Sequence, residues 1–196
     1  ADPRLLIFAA CVTLFTFANA PLLPLASGAI TKRAGDEATL LIAACIIIPE
    51  IIVAIISPTV GRFAETRGRK LVLIVGFSIL PIRGVLLGLV TEPGLVVLIQ
   101  ALDGIAAACF GVMMPLVTTD IAAKSGHMNL SLGFMGFSVG VGATLSTTIA
   151  GWIADTQGEA MAFFTLASVG CVALVLVALA MRETRPEPQA EAEDDS

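Results

Sequence analysis

Gly61-Arg62-Phe63-Ala64-Glu65-Thr66-Arg67-Gly68-Arg69-Lys70 is the stretch on which the reading of this chain turns. Four of its ten residues are basic, two are glycine, and it separates the apolar runs Ala38 to Ser57 and Leu71 to Val90. A basic hinge between two runs of that length fixes which side of a bilayer it faces.

The surrounding composition supports a lipid solvent. Of 196 residues, 57% are hydrophobic and 14% charged, with a mean hydropathy of +0.94. A soluble domain of this length cannot hide so much apolar surface. The formal net charge of -5 says little about partners, because the charges are segregated. Residues 186–196 carry Glu187, Glu191, Glu193, Asp194 and Asp195 without a basic residue, which predicts an acidic, disordered cytoplasmic tail. Cys11, Cys45, Cys109 and Cys171 each lie inside an apolar run and form no Cys-x-x-Cys pair. They read as small buried hydrophobes, not as a disulfide framework or a metal site. The first apolar run is too long for a signal-peptide core, so a span is expected there. A first residue other than Met predicts a fragment of a longer protein.

A bilayer core needs about 20 apolar residues per helix. Six runs reach that length: Leu5 to Ala26, Ala38 to Ser57, Leu71 to Val90, Leu95 to Val117, Leu132 to Ile153 and Ala160 to Met181. They are apolar all round, without strand alternation, so an all-α membrane bundle of six antiparallel helices over residues 1–185 is expected. Arg4, Arg62, Arg67, Arg69, Lys70, Lys124, Arg182 and Arg185 fall on one side, against Lys32 and Arg33 on the other. That bias places both termini and the basic hinge in the cytoplasm and the Thr91–Gly94 turn outside, in a multi-pass protein of the inner or plasma membrane.

Proline and glycine punctuate the spans. Pro21 and Pro24 interrupt the first, Pro49 the second and Pro81 the third. Gly84 and Gly88, and again Gly136 and Gly140, stand four apart, the spacing at which small residues let helix backbones approach closely. Ionisable or strongly polar residues inside a span are costly and are candidates for function. Asn19, Glu50, Arg83 and Asp103 are such residues, forming a polar network or a substrate path. At about 1.5 Å per residue, Arg83 and Asp103 lie at similar depths below the external surface, which predicts an ion pair or a shared network that Asn19 can join. Glu50 falls near the midplane, where a carboxyl can carry a proton in coupled transport. A structural group beside the Pro49 bend is the other reading. His127 reads as a solvated loop residue between Thr118 and Asn129, and Phe134 and Met135 as packing residues or the lining of an apolar cavity.

The Gly61–Lys70 segment resembles the loop motif of the major facilitator superfamily, Gly-x-x-x-Asp-Arg-x-Gly-Arg-Lys. Gly61, Glu65 for the usual Asp, Gly68, Arg69 and Lys70 carry the match, and Thr66 departs from it. The resemblance implies one six-helix half of a twelve-span permease, built from two inverted three-helix repeats around a central path. Gly61 would let two helices pack closely, and Glu65 would hold a helix N-terminus or a nearby Arg. Arg67, Arg69 and Lys70 would hold the loop in water and against anionic lipid. Gly151-Trp152-Ile153-Ala154-Asp155, the ending after Arg182, and Val141 in place of a proline expected after Gly140 point to the C-terminal half.

The function expected is secondary transport of a small solute by alternating access, as a proton-linked drug or metabolite exporter. Its partners would be the bilayer, the missing N-terminal half and the substrate, with no nucleic acid and no cofactor. A self-sufficient six-span homodimer is the alternative. An intramembrane enzyme is disfavoured: Gly76-Phe77-Ser78-Ile79 and Gly136-Phe137-Ser138-Val139 lack the last glycine of a rhomboid-type nucleophile motif, and no catalytic residue or metal ligand stands out.

Overall fold

The computed structural model describes residues 2–123 and 126–184. Lys124, Arg185 and the acidic tail lie outside the described residues. Seven α-helices make six membrane-length spans: α1 (Pro3–Asn19) and α2 (Leu22–Arg33) form the first, followed by α3 (Ala38–Arg67), α4 (Arg69–Leu89), α5 (Pro93–Ala122), α6 (Met128–Gln157) and α7 (Glu159–Ala180). A 3-10 turn, Gly35–Glu37, precedes α3. Among the described residues there is no strand.

The first span breaks where its sequence demands. Pro21 has no N–H to give to a carbonyl four residues back, and its ring crowds that carbonyl. The ladder therefore stops with Ala20 N–H on Thr16 O at 2.8 Å and restarts with Leu25 N–H on Pro21 O at 3.0 Å. Asn19 is left at the break, as the last residue of α1.

One sequence expectation needs correction. The basic hinge is almost entirely helical: α3 continues through Arg67 and α4 starts at Arg69. Gly68 alone stands between them, with φ 101° and ψ 159°, a conformation that L-residues with a side chain resist. A run of polar residues leaving a membrane can stay helical, because its side chains reach water while its backbone bonds remain internal. Thr118 and Asp120, likewise expected in a loop, belong to α5.

Packing follows a two-fold pattern. The most extensive contacts are α3 on α5, α4 on α7, α4 on α5, α1 on α6 and α1 on α7. Exchanging the first three spans for the last three maps α3·α5 onto α6·α1 and α4·α5 onto α7·α1, and leaves α4·α7 unchanged. Three spans per repeat reverse the direction of entry, so the two repeats are inverted.

Close approach supplies much of the contact. A Cβ on Gly84 would lie 2.8 Å from the Ala167 Cβ, and one on Gly88 2.7 Å from the Phe164 ring. Both glycines therefore seat α4 on α7. On α6 the closely packed glycine is Gly142, whose Cβ would lie 2.6 Å from the Thr13 carbonyl oxygen of α1. Gly136 and Gly140 face open space, with nothing within 4 Å of an added Cβ. Their spacing is right for a helix contact, but no helix of the described residues occupies that face.

Between α1, α4 and α5 the core is aromatic. Phe15 stacks on Phe110, centroids 4.1 Å apart, and tilts against Phe77 at 4.8 Å. Large apolar side chains on the perimeter are open, among them Leu179 at 81% and Leu40 at 73%. Such a surface suits lipid or protein neighbours and not water. Cys11, Cys45 and Cys109 are buried as expected, whereas Cys171 is exposed on α7.

Candidate functional site

Arg83 is wholly buried at 0% exposure, the largest fully buried side chain among the described residues. It lies on α4, six residues before Leu89, hence about 9 Å inside that end of the helix. An unpaired guanidinium there would be very costly. Three helices supply its partners. Nη1 donates to Asn19 Oδ1 of α1 at 2.6 Å and also to Asp103 Oδ1 of α5. Nη2 donates to Gln100 Oε1 of α5 at 2.7 Å. Nε has no partner among the described residues.

Each contact has a local cause. The Pro21 break frees the end of α1 and leaves the Asn19 carboxamide beside α4. Gln100 and Asp103 are three apart on α5, so they share one face. Arg83 offers two nitrogens at fixed geometry, which lets one side chain tie three acceptors together. The Arg–Asp charges cancel, and the Asp103 side chain keeps 22% exposure. The Phe15, Phe77 and Phe110 rings lie on the side of this cluster toward the end bearing Arg69. The pairing of Arg83, Asp103 and Asn19 was readable from depth. Gln100 was not singled out, although its polarity within an apolar run and its spacing from Asp103 signalled it.

Glu50 is separate. It is exposed on α3 and has no hydrogen bond to the Arg83 cluster. Only 11% of the apolar window of that span is buried, against 50% for the first span. Phe134 lines an apolar cavity of about 500 Å³ with Leu5, Leu130 and His127. Met135 points instead into the core, at 0% exposure.

The basic end holds a second cluster. Glu183, just past α7, accepts from the backbone N–H of Arg69 at 2.8 Å through Oε1 and of Lys70 at 3.2 Å through Oε2. Those amides open α4 and have no intrahelical acceptor. The Arg69 Nε donates to Asp120 Oδ2 at 3.2 Å, with both side chains about nine-tenths buried. The carboxylate expected at a helix N-terminus was Glu65. It is exposed and has no ion pair among the described residues, so Glu183 performs that task for α4. Glu65 is on the last turns of α3, whose side chains point away from the amides that follow Gly68. Gly68 is required by its φ, and a Cβ there would push the Glu183 carboxylate aside. Gly61 is only partly buried, with Val112 at 4.0 Å from an added Cβ, and Arg67 lies over the Phe63 ring at 6.0 Å. At the opposite end, Lys32 and Arg33 of α2 meet Glu159 of α7 at 2.7 and 3.3 Å. The two groups of contacts, one at each end, match the alternation of helix direction.

The model of the Major Facilitator Superfamily matches residues 5–196. An uncharacterised MFS-type transporter of Mycobacterium tuberculosis is 39% identical over 181 residues, covering 92% of this chain and 43% of the relative. Multidrug resistance protein 1 of Bacillus subtilis is 28% identical over 148 residues, 74% of this chain and 36% of the relative. Multidrug transporter protein MdtP of the same organism is 26% identical over 126 residues, 63% of this chain and 23% of the relative. The chain spans less than half the length of these relatives. With its six antiparallel spans, the inverted pairing of their contacts and a match over nearly all its residues, the chain belongs to the major facilitator superfamily, a family of transporters and not of enzymes.

Proposed function

We propose that the chain is the C-terminal six-helix half of a secondary transporter. With a second half it moves a small solute by alternating access, in the inner or plasma membrane with its basic end in the cytoplasm. Drug-like compounds are the cargo class, in keeping with the names of the two Bacillus relatives, and export is linked to proton entry. One observation carries this reading. Glu50 lies about 18 Å along α3 from its first residue, yet it opens to the outside of the six-helix bundle. A carboxyl at that depth is not stable against lipid and needs water, a proton or another protein surface. The open glycine face of α6 asks for a neighbour in the same way.

In this reading α3 and α6 border the path and meet the other half, while the Arg83 cluster ties α1, α4 and α5 into a unit that moves as one. Glu50 is then the group through which proton entry is coupled to transport. The test uses the full-length protein in proteoliposomes with an imposed pH gradient, following a fluorescent lipophilic cation. Glu50→Gln should abolish gradient-driven accumulation while passive exchange persists. Unchanged coupling removes Glu50 from the mechanism. A second copy of the same six helices could cover the same faces, and native mass spectrometry of the membrane-extracted protein separates that assembly from a single polypeptide with two halves.

A further inference from the structure

A second cavity, of about 520 Å³, opens at the basic end between the start of α1 and the end of α7, with Ile121 of α5 in its wall. Its lining divides by chemistry. Ile7, Ile121, Leu179 and Met181 are apolar, while Arg4 and Arg182 bring positive charge. Both arginines are exposed, and neither guanidinium has an ion-pair partner among the described residues. The acid in the lining, Glu183, directs its carboxylate to the α4 amides. Asp2 accepts from the backbone N–H of Arg4 at 2.9 Å.

We propose that this cavity binds one anionic phospholipid. Its phosphodiester sits between Arg4 and Arg182, and an acyl chain runs over Ile7, Ile121 and Leu179. Charge complementarity selects the headgroup: two guanidiniums without an ion-pair partner among the described residues suit a phosphate that carries a net negative charge, and a zwitterionic headgroup brings a repelling cation with it. The floor selects a lipid over a free phosphate. It continues to Leu179, 81% exposed on the perimeter of the bundle, where acyl chains lie. The site has a consequence for the basic end. Arg182 and Glu183 are adjacent, so a lipid held by Arg182 steadies the segment that presents Glu183 to α4. Anionic lipid is thereby linked to closure of the α3–α4 junction.

The test measures retained lipid by native mass spectrometry on the full-length protein, after exchange into micelles doped equally with phosphatidylglycerol and phosphatidylcholine. The wild type should keep phosphatidylglycerol in preference. Arg4→Gln and Arg182→Gln should each weaken that retention about fivefold, and Arg62→Gln, an exposed arginine of the same end, should leave it unchanged. Equal retention of the two lipids by the wild type overturns the proposal. So does retention by Arg4→Gln and Arg182→Gln at the wild-type level, or an equal loss in Arg62→Gln, which would mean diffuse attraction. Glycerophosphoglycerol, the same headgroup without chains, is the last arm. Displacement of the lipid by equimolar headgroup would assign the site to free phosphate esters and sink the lipid reading.

Discussion

Glu183 closes the first turn of α4 by accepting the backbone N–H of Arg69 at 2.8 Å. The two residues are 114 apart in sequence, and their contact joins the end of the last span to the start of the third. A carboxylate on free amides at a positive helix end is among the more favourable cap geometries. Glu183→Ala should therefore cost about 1–2 kcal/mol. Hydrogen exchange at the Arg69 and Lys70 amides should speed up, and the melting point in detergent should fall. Glu183→Gln, which keeps an acceptor but no charge, should fall between. Unaltered exchange at those two amides would show that the cap carries no weight.

Arg83 is sensitive to shape as well as charge. Arg83→Leu leaves the Asp103 carboxylate and the Asn19 and Gln100 carboxamides without their shared donor, at a cost of about 3–5 kcal/mol. Arg83→Lys retains the charge but offers one nitrogen for acceptors that now meet two, so it should recover less than half of that loss. Thermal unfolding of both variants in one detergent checks the order. A lysine variant as stable as the wild type would mean that charge alone suffices.

Two glycines of α6 should respond differently to the same change. Gly142→Val forces side-chain atoms against the Thr13 carbonyl of α1, where a Cβ already lies at 2.6 Å, and should destabilise by about 1–3 kcal/mol. Gly136→Val meets nothing within the described residues and should leave the melting of this six-helix unit unchanged. In the full-length protein it should lower transport if that face meets the other half. Equal melting of the two variants would contradict the packing described.

The charge pairs at the two ends should differ in their response to salt. Arg69 and Asp120 are about nine-tenths buried, so Asp120→Asn should cost about 2 kcal/mol, hardly altered by added salt. Lys32 is 72% exposed in its pair with Glu159, and Glu159→Gln should cost under about 1 kcal/mol, falling further as salt rises. Melting points at low and high ionic strength distinguish the two.

Much of this architecture was legible in advance because a bilayer imposes simple requirements. Six apolar runs had to become helices, since no other element satisfies its own backbone in lipid. Depth along a helix is linear in residue number, so Arg83, Asp103 and Asn19 could be placed in one layer. Glu65 illustrates the opposite case. It sat at the motif position of a capping acid, yet the α4 amides are met by Glu183. Which carboxylate reaches them depends on where α7 ends in space, and nothing local to either segment encodes that.

The glycines divide along the same line. Spacing of four marked Gly84, Gly88, Gly136 and Gly140 alike, because periodicity reports which residues share a helix face. It does not report what stands opposite. Gly84 and Gly88 meet α7, and Gly136 and Gly140 meet open space, so the seat on α6 passes to Gly142. Composition and span length are one-dimensional properties that a membrane reads directly, and from them the class and the number of spans followed. The identity of each polar partner, the helical course of Gly61–Arg67 and the open face of Glu50 depend on distances between residues far apart in the chain, and those arise only when six helices choose their neighbours.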